Sequence, residues 1–161
     1  MLLLALAACA QPPTQEIEIA ALRIAQAREE GASTYAARRF RQAEEALAQA
    51  REALSHPKQY RQAVETASFA CTRVDEARAR TSKEKEKISR WADRFLRECK
   101  ALMEQTHAIN PEIRHTEPME SFLLRYDSLT NVLQAGNVSE AYEGASQLKE
   151  ELLGLLRTLE D

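Results

Sequence analysis

Five side chains of this 161-residue sequence have types that could do chemistry: Cys71 and Cys99, and then His107, Glu112 and His115 within one short stretch. Glu112 and His115 stand at i and i+3, which sets them on one face of a helical turn. Imidazole and carboxylate are zinc-type ligands, but a site needs further ligands and groups to orient them, and nothing in the sequence requires these. The plainer reading is solvated histidines near a helix end, where a positive imidazole suits the helix dipole. No hydrolase elbow, phosphate loop or zinc-binding helix motif occurs. Asn137-Val138-Ser139 has the form of a glycosylation sequon and reads here as a helix cap. The expectation is a protein that is not an enzyme, with no cofactor and no metal ligand.

Cys71 and Cys99 are 28 residues apart, four heptads, and so share roughly one helix face. On one straight helix they would be ~42 Å apart, against the about 4.4–6.8 Å between Cα atoms that a disulfide needs. An intrachain bridge therefore requires the helix to fold back. The simplest reading is two reduced cysteines acting as small apolar side chains; a bridge between two chains of a parallel dimer is the alternative.

The elements that must position these residues are all helical. The chain has only 4 Gly, poor material for a sandwich or barrel, and is rich in Ala, Glu, Arg, Leu and Gln. Breakers fall at boundaries: Gly31, His56-Pro57, Asn110-Pro111 through Pro118, and Gly136-Asn137. Between them run helical stripes, with no alternation of period two. About 15–30 carries Ile17, Ala20, Ile24 and Ala27; about 36–54 carries Phe40, Ala43, Leu47, Ala50 and Leu54. From Pro118 the stripe is Met119, Phe122, Tyr126, Leu129 and Leu133. After Asn137, placed as an N-cap, it is Ala141, Ala145, Leu148, Leu152, Leu155 and Leu159. Phe40-Arg-Gln-Ala43 recurs as Tyr60-Arg-Gln-Ala63, with Val138-Ser-Glu-Ala141 a looser echo: an apolar residue opens each helix and Ala follows one turn later.

From Lys58 to His107 there is neither Pro nor Gly, and one heptad phase runs Tyr60, Ala67, Val74, Thr81, Ile88, Phe95, Leu102, with companions Ala63, Ala70, Ala77, Glu84, Trp91 and Glu98. A continuous helix here would be ~75 Å long. Its middle, Arg78 to Lys87, is polar on every face, as a solvated bridge would be, with Thr81 exposed. The predicted fold is all-α: five helices as antiparallel hairpins packed on a long central helix at about 58–107, in a dumbbell with an Ala-lined front and a Leu-lined rear. The alternative is a break near Thr81-Ser82 and one compact bundle.

Charge bounds the partners. The chain carries 22 Lys+Arg and 25 Asp+Glu, a net charge of −3, which argues against a dedicated nucleic-acid binder. The division is uneven: residues 58–107 are net +4 and 108–161 net −6. The basic run could face lipid headgroups or wall polymer, but interspersed Glu84 and Glu86 suit a solvated face with i, i+4 ion pairs as well.

The N-terminus holds the remaining chemistry. Met1 to Ala8 is apolar and ends in small residues before a thiol, and Leu6-Ala7-Ala8-Cys9 resembles the lipobox of bacterial lipoproteins. The resemblance implies cleavage before Cys9, acylation of its thiol and of the new amino terminus, and stable anchoring in membrane lipid by two or more chains. Aspartate after the cysteine favours inner-membrane retention in such proteins; Ala10 here points to the outer membrane, facing the periplasm. No Lys or Arg precedes the short apolar run, which suggests a start upstream of Met1. The run is too short to span a bilayer. Gln11-Pro12-Pro13-Thr14 then reads as an extended tether. The expected layout is 1–8 signal remnant, 9–14 tether, 15–80 N-terminal Ala-rich bundle, 81–107 linking part of the long helix, and 108–161 C-terminal helical hairpin.

Gly31-Ala-Ser-Thr-Tyr35-Ala36, Phe40-Arg-Gln-Ala43-Glu-Glu-Ala46-Leu47 and Tyr60-Arg-Gln-Ala63 resemble, over about residues 9–80, a family of short bacterial envelope lipoproteins with an Ala-rich helical domain of unknown function. That family implies no catalytic residues. Here Ala37 stands where its members often have Pro, and 81–161 has no counterpart. The expected function is a lipid-anchored helical lipoprotein acting as a structural or protein-interaction module of the envelope, its partner an envelope protein or the cell wall. The alternatives are a homo-oligomeric coiled-coil spacer built on the heptad phase, and a small metal binder using the His107–His115 loop. The helix stripes lack convergent polar residues, which speaks against the last.

Overall fold

The computed structural model describes residues 13–160. The five expected helices are present, with a sixth of a single turn in the Gly31 gap: α1 Thr14–Glu29, α2 Ala32–Tyr35, α3 Ala37–Leu54, α4 Tyr60–Ile109, α5 Glu117–Gln134 and α6 Val138–Glu160. Two short 3-10 turns, Pro57–Gln59 and Pro111–His115, lead into α4 and towards α5. No strand occurs among the described residues. The fold is all-α, and α4 runs unbroken for 50 residues, so the break near Thr81-Ser82 does not occur.

The boundaries follow local chemistry. Gly31 takes φ 90° at the end of α1, a left-handed backbone that costs glycine nothing. Gly136 (φ 84°) closes α5 in a Schellman motif: its N–H donates to the Leu133 carbonyl at 3.0 Å and that of Asn137 to the Val132 carbonyl at 3.1 Å. Asn137 also begins α6, its carbonyl accepting from Ala141 N–H at 3.1 Å, as an N-cap carbonyl does. Pro118 sits in the first turn of α5, where its missing N–H is not needed.

The chain divides into two compact units at Ser82/Lys83. In the first, pairs between helices fix directions. Arg23 meets Asp75 and Glu30 meets Arg78, so α1 runs parallel to α4; Arg28, in the last turn of α1, meets Phe40 and Glu44 in the first half of α3, so across the short Gly31 link these two helices run antiparallel. The result is an up-down-up trio whose core is Ile17, Ile24, Phe40, Leu47, Val74 and twelve alanines. Ala burial contributes little apolar area per residue, so this unit draws its packing from close backbone approach.

The second unit repeats the arrangement with α4 as its first member. Phe95 meets Tyr142 and Glu98 meets Lys149, which makes α6 parallel to α4; Arg125 meets Glu151 and Leu129 lies against Gly144, which makes α5 antiparallel to α6. Its core is larger-grained: Cys99, Met103, Ile113, Met119, Leu148 and Leu152, flanked by half-buried Phe122, Tyr126, Leu129 and Leu155. The contrast of Ala front and Leu rear is as the stripes predicted.

Two expectations are corrected. Thr81 is not exposed: it is 3% accessible, and its hydroxyl donates to the Ala77 carbonyl at 2.9 Å. The buried stripe Ala70, Val74, Ala77 simply continues one turn further, so Arg78 to Lys87 is not polar on every face. The heptad phase also slips. Past Ile88 the buried residues are Ala92, Leu96, Cys99 and Met103, one position beyond the expected Trp91, Phe95, Glu98 and Leu102. A helix of 3.6 residues per turn drifts about 20° per heptad, and over four heptads that is nearly one residue's rotation of about 100°. A strict seven-residue phase would need a supercoil to stay buried; without one, the heptad positions turn off the buried face.

Candidate functional site

The sequence-selected residues do not converge. His107, in the last turn of α4, is exposed and lines a groove of about 310 Å³ with Lys100, Met103, Glu104, Met119 and Leu123. Glu112 is exposed on the second 3-10 turn, and its N–H donates to Asn110 Oδ1 at 3.1 Å. The side chain of His115 lies outside the described residues. Among the described residues no group of three or more His, Cys, Asp or Glu stands close enough to hold a metal ion. Cys9 and the whole lipobox also lie outside the described residues.

The two cysteines are free thiols on one unbroken helix, which rules out the intrachain bridge. Cys71 is half-buried at the edge of the first core. Cys99 is fully buried, with its S–H directed at the Ala145 carbonyl 3.5 Å away. Burial pushes this thiol up to about 11, so it stays protonated and chemically quiet near neutral pH.

The phase slip exposes what the stripe analysis missed. Trp91 is 42% and Tyr142 37% accessible, and half-buried Phe95 lies between them. Trp91 and Phe95 have ring centroids 6.2 Å apart, tilted by 51°; Phe95 stacks on Tyr142 of α6 at 5.5 Å and 25°. Cations sit over these rings: the Arg94 guanidinium 5.4 Å from the Trp91 centroid and Lys149 Nζ 5.0 Å from that of Phe95. Glu98 anchors both cations, with Lys149 Nζ at 2.6 Å and Arg94 Nε donating at 3.0 Å. The Lys149 hydrogen bond, seconded by that of Arg94, holds the Glu98 carboxyl below its usual range.

Lys87, Arg90 and Arg94 flank Trp91 around a shallow groove of about 300 Å³. The result is a fixed aromatic ridge with a cationic margin, suited to an anionic partner that also offers an apolar face. The signal was present in the sequence as Lys87, Arg90, Trp91 and Arg94 at i, i+3, i+4 and i+7, but the heptad phase assigned Trp91 and Phe95 to the core.

No family model, curated protein or solved structure matches this chain. No helix among the described residues is long and apolar enough to cross a membrane.

Proposed function

We propose that this protein is a lipid-anchored helical lipoprotein of the bacterial envelope, held in the outer membrane through acylated Cys9 and facing the periplasm. It acts by binding an envelope protein or the cell wall rather than by catalysis. The lipobox-like Leu6-Ala7-Ala8-Cys9, followed by the Pro12-Pro13 tether, supports the anchor. The observation that carries the binding role is the Trp91–Phe95–Tyr142 ridge. Three aromatic rings there are held in register by Arg94, Lys149 and Glu98 on α4 and α6, and two of the rings are more than a third exposed. Exposed Trp and Tyr beside Arg are the side chains that most often dominate binding energy at interfaces. The resemblance of residues 9–80 to Ala-rich envelope lipoproteins of unknown function agrees with this reading and adds no activity to it.

Fractionation of cells producing the wild type and Cys9→Ser tests the anchor. The variant should move to the soluble fraction and lose acyl labelling; unchanged membrane association overturns it. Crosslinking of the anchored wild type and of Trp91→Ala tests the ridge, which predicts loss of the crosslinked partner in the variant with the helical content unaltered.

A further inference from the structure

We propose that the groove between α3 and α4 formed by Arg38, Arg39, Gln42 and Arg73 binds a phosphate group. This groove lies in the first unit and does not rest on the ridge of the second. Its volume is about 290 Å³. Arg38, Arg39 and Gln42 occupy one turn of α3, and Arg73 reaches it from α4. Arg39 Nε donates to Glu76 Oε2 at 3.3 Å, and Arg73 Nη1 donates to the same oxygen at 2.8 Å. Two guanidiniums thus already converge on a single oxyanion. Asp75, the neighbouring acid on α4, is held by Arg23 at 3.1 Å, so Glu76 stands alone against three arginines.

The donors outnumber the acceptors. Arg38 has no ion-pair or hydrogen-bond partner among the described residues. Arg73 Nε is buried and donates to nothing. That nitrogen is shielded from solvent, so Arg73 meets a ligand in the groove through its terminal guanidinium nitrogens. Arg73 is also pre-set: its guanidinium lies over the Phe69 ring at 4.7 Å while Nη1 is fixed on Glu76, so little freedom is lost on binding. Arg39 holds Glu76 through Nε, and with half of its side chain accessible it keeps its other guanidinium donors for a ligand. Guanidinium forks match the paired oxygens of phosphate in spacing and plane.

Glu76 sets the protonation state of the ligand. The hydrogen bond from Arg73 keeps its carboxyl below the usual range, so it is an acceptor at neutral pH. Hydrogen phosphate, or a singly protonated phosphomonoester, can donate its P–O–H to Glu76 while its other oxygens face the arginines. Sulfate has no such proton at neutral pH and meets the carboxylate as a bare like charge. The same chemistry is offered by free phosphate and by a phosphomonoester lipid headgroup.

The test follows the arginine Nε–Hε resonances of the full ¹⁵N-labelled chain during titration with inorganic phosphate at constant ionic strength, with sulfate as the control. Phosphate should shift the Arg73 resonance saturably and sulfate should bind more weakly. Arg38→Ala, at an exposed position without partners, should weaken phosphate binding by about tenfold. Glu76→Gln should erase the preference for phosphate over sulfate while the circular dichroism stays unchanged. Sedimentation with phosphatidic acid vesicles, against phosphatidylcholine, assigns the source: pelleting that Arg73→Lys abolishes points to the headgroup, and binding of soluble phosphate without such pelleting points to free phosphate. An Arg73 resonance unmoved by phosphate, or equal responses to phosphate and sulfate in the wild type, overturns the proposal.

Discussion

The side chain of Leu129 on α5 lies against the backbone of Gly144 on α6, in the space a Cβ at 144 would occupy. The missing side chain is what lets these helices close to that distance. Gly144→Ala gains about 1 kcal/mol in helix propensity but displaces Leu129, and overpacking typically costs about 1–3 kcal/mol. Gly144→Ala should therefore destabilise by about 1 kcal/mol in chemical denaturation. Leu129→Ala should cost more by itself, yet the double variant should be more stable than the sum of the singles, since the clash is gone.

The two cores should respond oppositely to size. Leu152 is fully buried in the second unit, and Leu152→Ala should cost about 2–5 kcal/mol. Ala67 is 1% accessible in the first, and Ala67→Leu should cost about 1–3 kcal/mol through overpacking. Hydrogen exchange on the two variants should show protection falling in Lys83–Asp161 for the former and in residues 13–82 for the latter. Loss of protection over the whole chain in both would contradict two separate cores.

Stability on the alkaline side should carry the mark of Cys99. Its thiol is raised from 9.0 to about 11 in the fold, so the folded state holds a proton that the unfolded state releases between those values. The stabilising contribution is complete below pH 9 and is lost as pH rises towards 11, on the order of 1 kcal/mol by pH 10. Cys99→Ala should flatten that slope in melts taken from pH 8 to 10.5.

On the acid side the sensitive pair is Glu151 with Arg125. The Arg125 hydrogen bond, with help from Gln147, lowers the Glu151 carboxyl below its reference 4.5. The pair stabilises above that value and is lost as pH falls through the lower folded value. Both side chains are 37% exposed, and solvent screening leaves about 0.5 kcal/mol. Glu151→Gln should lower the melting temperature slightly at pH 7, and the difference should shrink as pH falls below 4.5.

Much of the fold was legible because breakers and stripes agree locally. Pro118 and Gly136-Asn137 stand where α5 starts and stops, and Ala141, Ala145, Leu148 and Leu152 are all buried as the stripe required. What was not legible lies in the middle and rear of α4. Spacing in sequence does not record whether a long helix supercoils, so seven-residue counting drifted off the buried face and placed Trp91 inside; Thr81 stood on the heptad phase and was placed outside only because its neighbours from Arg78 to Lys87 are polar. The Arg73–Glu76–Arg39 cluster was hidden for a different reason. It depends on which turn of α3 faces which turn of α4, and an arginine in a charged helix gives no local sign of its partner across 37 residues.

The up-down-up order of each unit also has a kinetic consequence. The hydrogen bond from Arg23 on α1 to Asp75 on α4 spans 52 residues. Helical folds with such local contacts close in about microseconds to milliseconds. α1, α3 and the part of α4 that packs with them all lie before Lys83, whereas synthesis of the remainder at about 5–20 residues per second takes several seconds. The first trio thus has all its partners in hand, and ample time to reach its final packing, while α6 has yet to be made.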